Sequence, residues 1–581
     1  MKFSKIITVI LAGSLFFIVF GGVFGYYLLF EDVHVRYSSL ESSDGVTIAI
    51  TIVEPSDGLQ RFEDKKYGVV VAHGIVSKAE ANWPLITALA KAGFTVVALD
   101  QRGHGNSGGT TEDLHVGENE HKDIVRCAEF LKEDLDCDEV CLVGHSMGGV
   151  AVTRGAILAE EKGITIAGTV AISPPMSDAE TDAPPEGLSY LQRLLYDIFL
   201  IESEITPYAK ELDQSAAPYN YLVVISEVDE VIEPDNAKKL CELAGGPDQD
   251  SKADFQSRNA SDLFVIKENE NAPTHAETPR DSRTVEKVIE WLEKSIGIKD
   301  SYQFDEVRYN LGKNTMYIWL YLAVNASYFL ILPLYVLTKN KILIYNKIEK
   351  RHLSWTLDQV VNYYIKQDEK PYNTKRLILL LSLSSGAIFL SPMITRLLNI
   401  PPLQTFLIIN VLVRDMIVAA GIIFALIILL KYESVYDIFN KKNMKRFAVS
   451  AAGAATILFI FFLCMNLFDN FYNVHYKWMP FTFNPFIPER FFMFLTLWIE
   501  VIFIMGVIEY ICRKQIQDKM FKAEYHYTFW NWLKSTIFIS LIKAIFITTA
   551  ILGLFLAYDP TEFGRIFDVA LVIIGIFSMM L

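Results

Sequence analysis

CLVGHSMGGVA, residues 141–151, decides how the first half of the chain folds. The residues before it, EVCLV, form a short apolar run rich in strand formers, and those after it, VAVTRGAILAEE, have helical character. Between them Gly144 and Gly148 flank Ser146 in a G-x-S-x-G pattern. A strand that reverses into a helix within so few residues crowds its own backbone, so the positions on either side of the turn must lack a side chain. Such a turn lifts the serine hydroxyl off the carboxyl edge of a sheet and aims the partly positive end of the following helix at it. Five residues of Gly and Ser are a weak signal alone. The flanking strand and helix make Ser146 a candidate nucleophile.

Outward from this turn, β-branched runs alternate with amphipathic helical stretches, the pattern of a mostly parallel sheet flanked by helices. Strands are predicted at 48–53, 67–73, 95–100, 139–145, 166–173, 221–226 and 263–266. Helices are predicted in NWPLITALAKAG, EHKDIVRCAEFLKED and VAVTRGAILAEEKG. His73 and Gly74 end a strand, which places the backbone N–H of Ile75, with that of Met147, where an oxyanion hole would be needed.

The stretch from Val69 to Gly109, containing DQRGHGNS, together with GHSMGG, resembles the α/β-hydrolase superfamily, in particular its monoglyceride lipase and serine aminopeptidase-like branch. The resemblance covers residues ~45 to ~297 and implies the chain order nucleophile, acid, histidine. It places the acid at Asp229 in YLVVISEVDEVIEP, with Glu227, Glu230 and Glu233 as rivals, and with Ser226 where the family usually has glycine. It places the histidine at His275 in APTHAETP, where Pro273 and Thr274 stand in place of a customary glycine. The implied chemistry is a Ser146–His275–Asp229 triad working through an acyl-enzyme. His73, His104, Asp100 and Arg102 read as braces of turns, and His145 as a packing residue. Residues 174–220 exceed an ordinary connection and are expected to form a small lid, with the apolar face of GLSYLQRLLYDIFLI turned to acyl chains, the bilayer or the sheet.

Composition divides the chain in two. Residues 1–312 carry 27 Lys+Arg against 52 Asp+Glu, and residues 313–581 carry 26 against 16. An acidic half would repel phosphates, and the basic charge of the other half lies between hydrophobic runs, so nucleic acid is excluded as a partner. Ile6 to Phe30 follows Lys2 and Lys5 and is long enough to cross ~30 Å of hydrocarbon. Further apolar runs occur at 316–337, 377–394, 403–430, 447–468, 491–511, 533–557 and 566–581, the third interrupted by Arg414 and Asp415. Loop charge alternates: Lys339 to Arg376, Lys441 to Arg446 and Arg513 to Lys522 are basic, and the connections between them are poorer in Lys and Arg. The positive-inside rule then puts the N-terminus in the cytoplasm and residues 31–312 outside it.

The expected organisation is an anchor at 1–30, an α/β-hydrolase domain at 31–312, and an all-α transmembrane domain of about seven helices at 313–581 in the plasma membrane. The expected activity is cleavage of carboxylic esters, lipid-derived acyl esters among the candidates, with the bilayer as partner. Peptidase or acyltransferase chemistry is an alternative, because one triad serves all acyl transfers. A transport or signalling protein with a non-catalytic, ligand-binding hydrolase-like domain is another. Six cysteines show no zinc spacing, so no metal or other cofactor is expected. Buried thiols are favoured, with disulfides among Cys127, Cys137, Cys141 and Cys241 left open. Glu500, Glu509 and Lys543 fall inside apolar runs and are read as structural pairs before an ion path.

Overall fold

Valine-rich segments that bury both faces can form strands only at the centre of a sheet covered by helices on each side. The computed structural model describes residues 27–56, 61–62, 65–75, 77–109, 119–175, 218–229, 231–244, 255–298, 302–315, 374–398 and 407–430, with isolated positions between 507 and 549. Most of the first apolar run, the body of the expected lid, the apolar runs at 316–337, 447–468 and 566–581, and Glu500, Glu509 and Lys543 lie outside the described residues. Two compact units are present, one containing the sheet and one containing the later helices.

In the first unit, strands β1 (Val33–Glu41), β2 (Thr47–Pro55), β3 (Tyr67–Ala72), β4 (Thr95–Leu99), β5 (Glu139–His145), β6 (Ile166–Ile172), β7 (Tyr221–Ser226) and β8 (Ser261–Ile266) form one sheet in the order β1-β2-β4-β3-β5-β6-β7-β8. Only β2 runs against its neighbours. Helices α1 (Trp83–Lys91), α2 (Glu120–Glu133), α3 (Met147–Glu161), α4 (Pro234–Leu243) and α5 (Ser282–Ser295) cover it. Alternation along the central strands sorts the core into two layers. Val69, Val71, Cys141 and Val143 face α1 and α5, whose Ile86, Leu89, Val288 and Leu292 are buried there. Val70, Ala72, Val140 and Leu142 face α2 and α3, with Ile124, Leu131, Val152 and Ala156.

All seven predicted strands are present. β1 (VHVRYSSLE) is a strand the reading did not include: its alternation is confined to Val33, Val35 and Tyr37, and only Val33 and Leu40 are buried. Backbone pairing with β2, from Val33 opposite Pro55 to Glu41 opposite Thr47, holds it at the sheet edge. An edge strand tolerates polar residues on both faces. The four cysteines in question are free and buried, and burial pushes the Cys137 thiol up to about 12.

The loop after β4 is held from both sides. Arg102 Nε and Nη2 donate to the two oxygens of Asp123 on α2 at 2.9 and 2.7 Å, and Nη1 donates to Asp44 at 2.7 Å. Ser42 Oγ donates to the same Asp123 at 2.6 Å. Asp100 accepts from the backbone N–H of Ala79 and Asn106. Asp100 and Arg102 are therefore braces within the fold.

The two ends of this unit meet. Leu29 and Phe30, the last residues of the first apolar run, are buried in the sheet core, with Phe30 edge-on to Trp83 at 4.9 Å. Arg308 donates to Glu31 at 2.6 Å. Tyr302, Phe304 and Tyr309 pack against the same core.

In the second unit, α6 (Thr374–Leu397) and α7 (Leu407–Leu429) pack through Leu377, Leu380, Ala387, Ala420, Ile423 and Ile427. α7 continues as one helix through Arg414 and Asp415. Among the described residues, Lys375–Ile394 is long and apolar enough to cross a membrane, with mean hydropathy 2.1, and Met416–Leu429 is a shorter apolar helix.

Removing Asp123 takes away the buried one of Arg102's two carboxylate partners and leaves the partly exposed Asp44 to balance a buried charge. Asp123→Ala is expected to lower stability by about 3–5 kcal/mol, measured as the shift in urea midpoint of the full chain. An unchanged midpoint would contradict the bracing role of this cluster.

Candidate active site

The turn after β5 holds Ser146 at φ +55°, ψ −122°, a conformation that costs a non-glycine residue ~1–3 kcal/mol. Backbone hydrogen bonds on both sides of the residue hold it there. Ser146 N donates to Ile172 O at 2.8 Å, and its carbonyl accepts from Gly149 N at 2.7 Å. A Cβ on Gly144 would lie 2.0 Å from the Gly148 carbonyl oxygen, and one on Gly148 would lie 2.5 Å from that of Ala72. No side chain fits at either position. Although Ser146 stands at the N-cap of α3, its hydroxyl makes no capping bond, so it is not consumed by the helix behind it.

Asp229 follows β7, and its position is set by its own backbone. Asp229 N donates to Ser226 O, while Oδ1 accepts from Val231 N at 3.0 Å and Ile232 N at 2.8 Å. The carboxylate also accepts from His275 Nδ1 at 2.9 and 3.0 Å. Among the described rivals, Glu227 instead accepts from Glu268 N, and Glu233 is an exposed residue just before α4. Glu230 lies outside the described residues. Asp229 is 6% exposed and His275 9%. A hydrogen bond from Nδ1 to a buried carboxylate fixes the imidazole tautomer and leaves Nε2 as the basic nitrogen.

His145 does more than pack. Its Nε2 is 3.0 Å from the carbonyl oxygen of His275, and the two rings are 4.8 Å apart. A carbonyl only accepts, so Nε2 carries the proton. Burial and the nearby His275 and Arg280 push the His145 pKa well below its ordinary value, and the ring is neutral. The residue next to Ser146, the expected nucleophile, thus holds the backbone of the residue expected to act as base. Adjacency to Ser146 was the only sequence signal for this contact, since the partner lies 130 positions on.

The loop after β3 closes the other side. A Cβ on Gly74 would lie 3.1 Å from Ser146 Cβ and 3.0 Å from His145 Nδ1, so the chain passes close beside Ser146. His73 Nδ1 donates to Gly74 O at 2.6 Å, and His73 Nε2 accepts from Gln101 N at 2.9 Å. The ring is neutral and structural, with its pKa lowered mainly by burial. Ile75 packs on the apolar cluster that contains Met147. Met147 opens α3, where a backbone N–H has no carbonyl partner within the helix. Among the described residues no group of His, Cys, Asp and Glu could hold a metal ion.

Residues 63–201 match the family model described as serine aminopeptidase, S33. The chain is 28% identical over 186 residues to human Protein ABHD12B, covering 30% of this chain and 49% of that protein. It is 30% identical over 120 residues to a protein of Mycobacterium phage D29 described as a non-heme haloperoxidase, covering 21% of this chain and 38% of the relative. The chain thus spans half or less of the length of these curated relatives. Superposition on the Pyrococcus furiosus esterase Pf2001 gives a TM-score of 0.34 at 20% identity, over 45% of this chain and 93% of the esterase. With the family match and the strand order above, the first half of the chain is an α/β hydrolase in fold.

Two outcomes follow from this geometry. Gly148→Ala is expected to abolish accumulation of folded protein, because the added methyl meets backbone rather than a movable side chain; recovery of soluble, protease-resistant chain at wild-type yield would contradict it. His73 and His145 are held neutral when folded and protonate when unfolded. Stability is therefore retained above pH ~6.5 and lost as pH falls below it, at up to ~1.4 kcal/mol per pH unit for each histidine. Thermal midpoints measured from pH 8 to 5 should fall less steeply for His145→Gln than for the wild type.

Proposed function

We propose that this chain is a membrane-bound serine hydrolase that cleaves carboxylic esters, lipid-derived acyl esters among its candidate substrates. The observation that carries the reading is the buried Asp229–His275 hydrogen bond near a serine held at positive φ whose hydroxyl makes no capping bond to the helix that follows. In the proposed cycle His275 Nε2 takes the Ser146 proton as Oγ attacks the ester carbonyl carbon. The N–H groups of Ile75 and Met147 receive the developing oxyanion. Collapse breaks the carbonyl–alkoxy bond, and the alcohol leaves with the proton from His275. Water, deprotonated by the same nitrogen, then attacks the acyl-enzyme and releases the acid. No step calls on a metal or other cofactor.

Location at a membrane is supported by the apolar runs after residue 313 and by α6, which presents Ile378, Leu379, Leu383 and Leu390 outward. Loop charges support an extracytoplasmic hydrolase domain. A cysteine placed in the 441–446 loop should be protected from an impermeant thiol reagent added to intact cells; modification from outside would reverse the topology. Peptide hydrolysis is the second reading, favoured by the description of the matching family model.

Labelling of membranes with a fluorophosphonate should mark the wild-type chain and not Ser146→Ala, and Asp229→Asn should lower kcat by about 10⁴-fold. Folded wild-type protein that takes no Ser146-dependent label would sink the hydrolase reading in favour of a ligand-binding domain. Parallel ester and peptide panels, with an acyl-chain-length series, separate the two enzymatic readings.

A further inference from the structure

The loop that carries His275 meets the sheet at His275 itself, whose ring bonds Asp229 and whose carbonyl accepts from His145. Residues 274–281 form tight turns bonded mostly to themselves: Glu277 and Thr278 N donate to Thr274 O, and Arg280 N donates to Glu277 O. The Arg280 guanidinium turns back to the carbonyl of Ala276, next to His275, and reaches Ala81 O at 3.4 Å. What anchors the far end comes from beyond the hydrolase core. Tyr309 Oη donates to the Arg280 carbonyl at 2.8 Å and Lys313 Nζ donates to the same oxygen at 3.1 Å. Glu306 accepts from Ser282 Oγ at 2.8 Å, at the first turn of α5.

All three residues lie on the helical stretch 306–315, after the last helix of the core. The stretch is itself fixed. Tyr309 packs against the sheet core and Phe304, at 5.2 Å between rings, and Arg308 bonds Glu31 at the chain's entry to the domain. Asp229 holds the His275 ring and His145 its carbonyl, while the strap holds the far end of the same loop, and a displacement of ~1 Å at a reacting group can cost ~10²-fold in rate. From this juxtaposition we propose that Tyr309 and Lys313 are positioning residues for His275, and that residues 306–313 are a strap completing the hydrolytic site. The inference rests on the hydrolase reading above. The strap ends three residues before the apolar run that opens at Met316.

The test uses the full chain with three variants: Tyr309→Phe/Lys313→Met, which removes both donors and keeps the packing volume; Lys313→Arg, which keeps a donor; and Ser146→Ala. With a p-nitrophenyl ester, the double variant should lose about 10-fold or more in kcat with KM within about twofold, and the acid limb of its pH–rate profile should move. Lys313→Arg should stay within about threefold of wild type. Hydrogen exchange of the 274–281 peptide should quicken in the double variant while β8 stays protected. A folded double variant with wild-type kcat, acid limb and exchange would overturn the strap, and so would equal losses in the double variant and Lys313→Arg. A wild-type chain without Ser146-dependent turnover would instead remove the hydrolase reading. The exchange measurement still decides the strap in that case: quickened exchange supports it and unchanged exchange overturns it.

Discussion

The close approach of backbone to backbone at Gly144 and Gly148 is the constraint around which the first unit is built. With a Cβ at Gly148 the turn would collide with the carbonyl oxygen of Ala72 at the end of β3, so β3, β5 and α3 can meet only at a residue without a side chain. Their meeting throws Ser146 into positive φ and brings the β3 loop against it. Everything chemically interesting then collects at one sheet edge. The carboxyl ends of β5, β7 and β8 deliver Ser146, Asp229 and His275 from positions far apart in sequence, because parallel strands put all their C-termini on the same side.

Around that edge the histidines are divided by hydrogen bonding rather than by type. His73 is spent on Gly74 and Gln101, and His145 on the carbonyl of His275. His275 alone of these three donates through Nδ1 to a carboxylate. Burial keeps His73 and His145 neutral, so the imidazolium proposed to form at His275 would meet no second positive imidazole beside it. The same low-dielectric surroundings make the Arg102 cluster costly to disturb and therefore an effective brace for the loop after β4.

How much was legible beforehand depended on range. The glycines of GHSMGG, the valine runs and the amphipathic helices carry their reasons locally, within a turn or a strand, and the seven strands and the turn at Ser146 could be read from them. Asp229 and His275 were assigned by resemblance and by order along the chain. The choice of Asp229 over Glu227 rests on which carboxylate meets His275, a matter of register between β7 and β8. β1 was missed because its alternation, Val33, Val35 and Tyr37, is short and mostly exposed, and pairing with its partner's backbone holds it at the edge. His145 looked like packing because the atom it binds is 130 residues away. Tyr309 and Lys313 sat in what reads as a linker.

The sequence by itself determined the α/β architecture of the first half, the strand-to-helix turn at Ser146 and the division into an acidic half and a basic, apolar half. Each follows from short-range physics: steric exclusion at glycine, the two-residue and 3.6-residue periods of strand and helix, and the solvation of charge. Tertiary structure decided which carboxylate faces the histidine, which histidines are committed to backbone, and that the segment leaving the domain returns to hold the His275 loop. Those outcomes depend on hydrogen bonds between residues tens to hundreds of positions apart, whose geometry exists only once the sheet has set the spacing of its strands.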